Sequence, residues 1–180
     1  MKDGYYNIEE TEISFEKVYQ QPWFPEELAD QVKKANCLIV PNNLYVENSD
    51  GLLFPETTTE FYRFLIAEHN NDFIADIAVN DSDYKKLELH SSVIEIATLV
   101  VEYLVLPVIV NMISNFLYDA VKRRRKRPDE MQAQIKIIVE KSHKNVKGER
   151  NIKITYKGPV SSIKESLMKA IETITEEKNG

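Results

Sequence analysis

The chain has 180 residues, 43% of them hydrophobic and 29% charged, so it can bury one real core and is too apolar to stay disordered. Its single cysteine, Cys37, excludes an internal disulfide and a multi-cysteine metal site, and five glycines are few for a phosphate-cradling loop. The net charge of −6 is unevenly placed: residues 1–121 carry 7 Lys/Arg against 21 Asp/Glu, whereas residues 122–157 carry 13 against 4. That asymmetry points to an anionic partner for the basic part, or to docking of one part of the chain on the other.

The N-terminus, MKDGYYNIEE, is polar and acidic and lacks the apolar stretch of a secretory signal. With the lone cysteine, this leads to the expectation of a cytoplasmic protein, with membrane association as the alternative. Thr11–Tyr19 places Ile13, Phe15 and Val18 in a near-alternating pattern and is predicted as a first strand. Pro25 opens a short helix that runs to Lys34, with acids first and lysines last. Cys37–Val40 is a buried-type strand ended by Pro41, and 48–51 is a turn signal. A threonine cap at 57–59 followed by Phe61, Phe64 and Leu65 predicts a helix of three turns. Asp72–Val79 and Lys86–His90 are predicted as strands.

Val93–Val121 is the most apolar stretch, contains no Lys or Arg, and ends abruptly in six basic residues. Ser92 and Glu95 have capping-box spacing, which predicts one long helix over 92–127. On that helix Glu95 and Glu102 share a line, while Asn111, Ser114, Asn115 and Tyr118 lie opposite, so the polar side switches at Pro107 and a kink is expected there. Such a segment is either a core helix wrapped on most sides or a membrane span at 103–121 anchored by the basic run. The uncharged run Tyr103–Tyr118 reaches only about 24 Å against the roughly 30 Å of a bilayer core, which favours the buried helix.

Beyond Pro128, residues 134–141 and 151–157 alternate as two strands of a hairpin. Val160, Ile163, Leu167, Ala170, Ile171 and Ile174 then form a helical stripe behind a second capping box, Ser162 and Glu165. The predicted class is α+β (mixed α/β): a small sheet, a long kinked central helix and a C-terminal β-β-α unit. Three parts are expected, an acidic 1–91, the apolar helix 92–127 with its basic end, and 128–180, together forming one compact domain.

No catalytic constellation stands out. His69, His90 and His143 lack zinc-ligand spacing, Cys37 reads as a core thiol, and Glu95 with Glu102 reads as structural. Asp72, Asp76, Asp81 and Asp83 are an unspecific Mg²⁺ pattern, so no metal and no cofactor is expected. The candidate anion- or partner-binding residues are Lys122, Arg123, Arg124, Arg125, Lys126 and Arg127, joined by Lys144, Lys147 and Arg150. Lys136, Lys153 and Lys157 on the outer strand face extend them towards one basic surface. Aromatic residues are not interleaved with these cations, so a stacking platform for single strands is not supported. The expected function is a non-enzymatic interaction protein, an accessory subunit of a larger prokaryotic-type complex. It would dock on a protein partner or a second copy through the apolar helix and the basic surface. The alternatives are a membrane-tethered protein with one short span at 103–121 and a nucleic-acid-binding module using 122–157.

Overall fold

A computed structural model describes residues 2–45, 51–87, 92–141 and 150–179. Its strands are β1 (Lys2–Asp3), β2 (Tyr6–Thr11), β3 (Cys37–Val40), β4 (Phe54–Pro55), β5 (Ala75–Ile77), β6 (Lys86–Leu87), β7 (Val93–Glu95), β8 (Thr98–Glu102), β9 (Gln132–Glu140) and β10 (Asn151–Pro159). The α-helices are α1 (Phe15–Tyr19), α2 (Ala29–Val32), α3 (Thr58–Ile66), α4 (Leu106–Arg123) and α5 (Ile163–Asn179). The main sheet has the order β1-β2-β10-β9-β8-β3-β5, with β7 also pairing β9, while β4 and β6 form a separate pair. The architecture is α+β, with a mixed sheet, a long helix and a C-terminal β-β-α unit, as the periodicities predict.

The segment 93–121 is not one helix. Its first third is strand: β7 and β8 both run parallel to β9, in registers that differ by one residue. Three residues, Ile96 to Thr98, face two, Ile135 and Lys136, so a bulge joins β7 to β8. The cause is side-chain shape: Val93, Ile94, Ile96, Thr98, Val100 and Val101 are β-branched and fit a pleated, buried surface. Glu95 therefore does not cap a helix; its carboxylate accepts a hydrogen bond from Asn42 Nδ2 at 2.9 Å. Helix α4 starts at Leu106, and Pro107 sits in its first turn, where the missing N–H costs nothing. The switch of polar side at Pro107 thus marks a strand-to-helix change rather than a kink.

Two other boundaries move. Thr11–Tyr19 splits into the end of β2 and helix α1, because Ser14 Oγ accepts from Lys17 N–H at 3.1 Å and turns the chain. The strand expected over 72–79 shrinks to Ala75–Ile77, and the helix expected over 26–34 is a 3₁₀ turn followed by α2. The 48–50 part of the turn signal at 48–51, His90, His143 and most of the hairpin loop lie outside the described residues.

Strand alternation assigns the two faces. Ile135, Ile137, Val139, Ile152, Ile154 and Tyr156 are buried on one face, and α5 packs over β10 and β2 there. Each such side chain contributes about 1.5–3 kcal/mol of burial. The parallel connections β8-α4-β9 and β3-α3-β5 place both helices on that same face by the right-handed crossover rule. Ring contacts agree: Phe61 and Phe64 of α3 meet Phe116 of α4 at 5.1 and 5.6 Å between centroids. The predicted α5 stripe is buried throughout. On the opposite face, the stretch carrying α1 and α2 covers the centre of the sheet. It buries Val18, Trp23, Phe24 and Val32, and Phe15 N–H donates to Glu140 Oε2 at 2.9 Å. The β9-β10-β2 end of that face keeps Lys136 and Lys157 exposed.

Candidate functional site

The basic run is built by the end of α4. Lys122 and Arg123 complete the helix and Arg124 is its C-cap. Arg125 then adopts φ 55, in the left-handed region. Its N–H donates to Lys122 O at 3.0 Å and Lys126 N–H donates to Val121 O at 3.2 Å. These two bonds define a Schellman cap, a place that favours glycine, filled here by an arginine. The run therefore turns back on itself, and its six side chains fan out from one end of the helix.

Those six are not equivalent. Arg123 pairs with Glu60 of α3 at 3.7 Å, and Arg127 pairs with Asp129 at 3.5 Å and Glu130 at 3.3 Å. The Arg127 backbone N–H, reinforced by its guanidinium, holds the Glu130 carboxyl below the usual carboxylate range. Lys122, Arg124, Arg125 and Lys126 are exposed, with no ion pair to any described residue.

A groove of about 510 Å³ lies between α3 and α4 beside this end. Phe64 and Phe116 line it, and Glu60, Arg63, Asp119, Lys122 and Arg123 rim it. It offers apolar contact area flanked by both signs of charge. Phe64, Phe116, Glu60, Arg63 and Asp119 did not stand out in the sequence. The two phenylalanines look like ordinary core positions, and nothing local brings Glu60 to Arg123, 63 residues away.

Arg150, a further predicted site residue, lies elsewhere. Arg150 precedes β10, and the far end of that strand joins the α4 end through Val160 N–H to Met131 O at 2.9 Å and Ser161 N–H to Pro128 O at 3.1 Å. Nine residues of strand, roughly 30 Å, separate Arg150 from the basic run. Arg150 pairs with Glu10 at 3.1 Å and Lys153 with Glu9 at 2.9 Å, both on β2. The acidic front of the chain thus partly neutralises the basic stretch, and among the described residues Arg150 stands a strand's length away from the basic run. Lys144 and Lys147 lie outside the described residues.

The apolar side of α4 is largely occupied by the protein's own core. Its buried residues run from Leu106 through Ile109, Ile113 and Leu117 to Val121, leaving Leu104 (78% exposed) and Val108 (46%) at the outer start of the segment. Tyr103–Arg123 contains an 18-residue window with a mean hydropathy of 1.6, and 61% of that window is buried within the protein.

Several other titratable groups are in structural contacts. Asp76 accepts from Gln31 Nε2 at 3.1 Å and Tyr62 Oη at 3.3 Å, and burial together with the Asp76 charge pushes the Tyr62 phenol up to about 12. His69 Nε2 accepts from Ala75 N–H at 2.9 Å, and burial pushes the Cys37 thiol well above its ordinary value. Among the described residues, no three His, Cys, Asp or Glu side chains converge on a point that would hold a metal ion. Compared with protein-family models, curated proteins and solved structures, the chain shows no significant match to any.

Proposed function

We propose that this protein is a non-enzymatic accessory subunit that docks a protein partner in the α3–α4 groove and on the basic end of α4. The observation that carries this reading is the juxtaposition at that end. An aromatic-lined groove with Glu60, Arg63 and Asp119 on its rim runs into Lys122, Arg124, Arg125 and Lys126, which have no ion pair to described residues. The fitting occupant is an acidic segment with an apolar anchor: the anchor fills the Phe64–Phe116 floor, and its acids meet the α4 cations. Arg125, held in a conformation that costs about 1 kcal/mol relative to glycine, supports a use for its side chain beyond the cap.

The interleaved carboxylates argue against the nucleic-acid alternative. Glu60, Asp119, Asp129 and Glu130 stand among the cations and would repel a phosphate backbone. A membrane span at 103–121 would have to lift ten buried α4 side chains away from the core they share with the sheet.

Affinity capture from native lysate tests the proposal. The wild-type chain should retain a stoichiometric protein that the variant Arg124→Glu/Arg125→Glu/Lys126→Glu loses, and that protein, purified, should rebind. Recovery of the chain alone, or equal recovery by both forms, contradicts it. Binding of duplex DNA that weakens steeply with added salt would establish the nucleic-acid reading instead.

A further inference from the structure

A second concavity, of about 340 Å³, lies on the opposite face of the sheet. Ile13, Val40, Leu44 and Ile138 give it apolar walls, and Lys136 and Lys153 stand at its edge. We propose that it binds a small organic anion with an apolar body, of the class of a medium-chain monocarboxylate. The charged group would sit at Lys136 and the chain against Ile13, Val40, Leu44 and Ile138.

Size fits: the volume is at the small end of ligand pockets, enough for a fragment rather than a nucleotide. Charge fits as well. Lys153 lies opposite Ile138 across β9–β10, and Lys136 is two residues along β9, so the two ammonium groups sit on a cross-strand diagonal of one face. Glu9 pairs with Lys153 at 2.9 Å and the Glu95 carboxylate is held by the Asn42 amide, whereas Lys136 has no ion pair to any described residue, so the positive charge left open at the pocket edge is that of Lys136. Asn42, Thr98 and Asn43 in the lining are already committed. The Asn42 amide donates to Glu95 Oε1 at 2.9 Å and accepts from Thr98 Oγ1 at 3.2 Å, stitching β7 to β8 across the bulge. Asn43 Oδ1 accepts from Leu53 N–H at 2.9 Å. These side chains act as a rigid wall, which leaves the Lys136 ammonium as the group that selects charge. An apolar floor beneath it disfavours a bare inorganic anion, which would leave that floor wet.

The test is a titration of the full chain, methyl-labelled for NMR, with octanoate, 1-octylamine and inorganic phosphate as separate probes. Octanoate should shift the methyl signals of Ile13, Val40, Leu44 and Ile138 together, and phosphate and octylamine should not. Lys136→Gln should weaken octanoate roughly tenfold, the size of one charge-assisted hydrogen bond, and Lys136→Glu should abolish binding. Lys136 is exposed, so both variants should keep the wild-type spectrum elsewhere. Octylamine binding as tightly as octanoate, shifts confined to other parts of the protein, or a Lys136→Gln affinity equal to wild type would each overturn the assignment. The pocket and the α3–α4 groove lie on opposite faces, so the two readings fail independently.

Discussion

Two sets of cations, both drawn from the basic stretch 122–157, meet different fates in the fold. On β10 and just before it, Lys153 and Arg150 find Glu9 and Glu10 on β2, and the opposing charges of the chain cancel across a strand pair. At the end of α4, Arg123 and Arg127 are paired, while Lys122, Arg124, Arg125 and Lys126 have no ion pair to described residues; Lys122 lines a groove with an aromatic floor, and the other three follow it at the helix end. The contrast shows that a charge run in sequence says little until the acids around it are placed. The first set stabilises the chain modestly; the second is the set that the proposed docking would use.

Several substitutions break or sharpen that contrast. The largest effect belongs to Phe116→Ala, which opens a cavity beneath the groove and removes two ring contacts. It should lower unfolding free energy by about 3–5 kcal/mol in a urea titration, and a loss below about 1 kcal/mol would mean the floor is not part of the core. Next, Arg124→Glu/Arg125→Glu/Lys126→Glu should weaken partner binding by about a hundredfold while costing only about 1–2 kcal/mol of stability, through acids placed against the negative end of the α4 dipole rather than through any lost internal pair. Lys153→Glu should do the reverse, sparing the partner and costing up to about 1 kcal/mol of salt-sensitive stability by facing Glu9.

Tyr62→Phe, which touches neither cation set's ion pairs, should cost about 1 kcal/mol through the lost bond to Asp76. Because the folded-state phenol is raised from 10.0 to about 12, its contribution is present below pH 10 and is lost as pH rises through about 12. A stability profile over that window should therefore be flatter in Tyr62→Phe than in wild type. The smallest effect is a gain: Arg125→Gly relieves the left-handed residue and should raise stability by about 0.5–1 kcal/mol while weakening the partner. A loss of stability there would mean that the arginine side chain braces the cap.

What could be read from the sequence follows from how local each signal is. β9, β10 and α5 were legible because one face of each is buried and the other polar, so period two and period 3.6 stand out plainly. The stretch 93–105 was misread because it is apolar on both faces. A β-branched run sheltered on two sides carries no period to separate strand from helix, and Ser92 with Glu95 imitated a cap by chance. Ser14 turned a short alternating pattern into α1 because one side-chain bond outweighs a few residues of weak strand preference. The basic run was visible as composition alone. Its neighbours Glu60, Arg63 and Phe64 arrive from α3 through tertiary packing, which no window of sequence contains, and the same holds for Glu9 and Glu10 against β10.

Site-specific photo-crosslinking in cells separates the two faces of the molecule most directly. A photoreactive residue at position 119, on the rim of the groove, should yield an adduct with one protein, and the same residue at position 157, on the opposite face, should yield none. Adducts of equal yield from both positions, or none from either, would contradict the assignment of the α4 end as the surface that meets a partner.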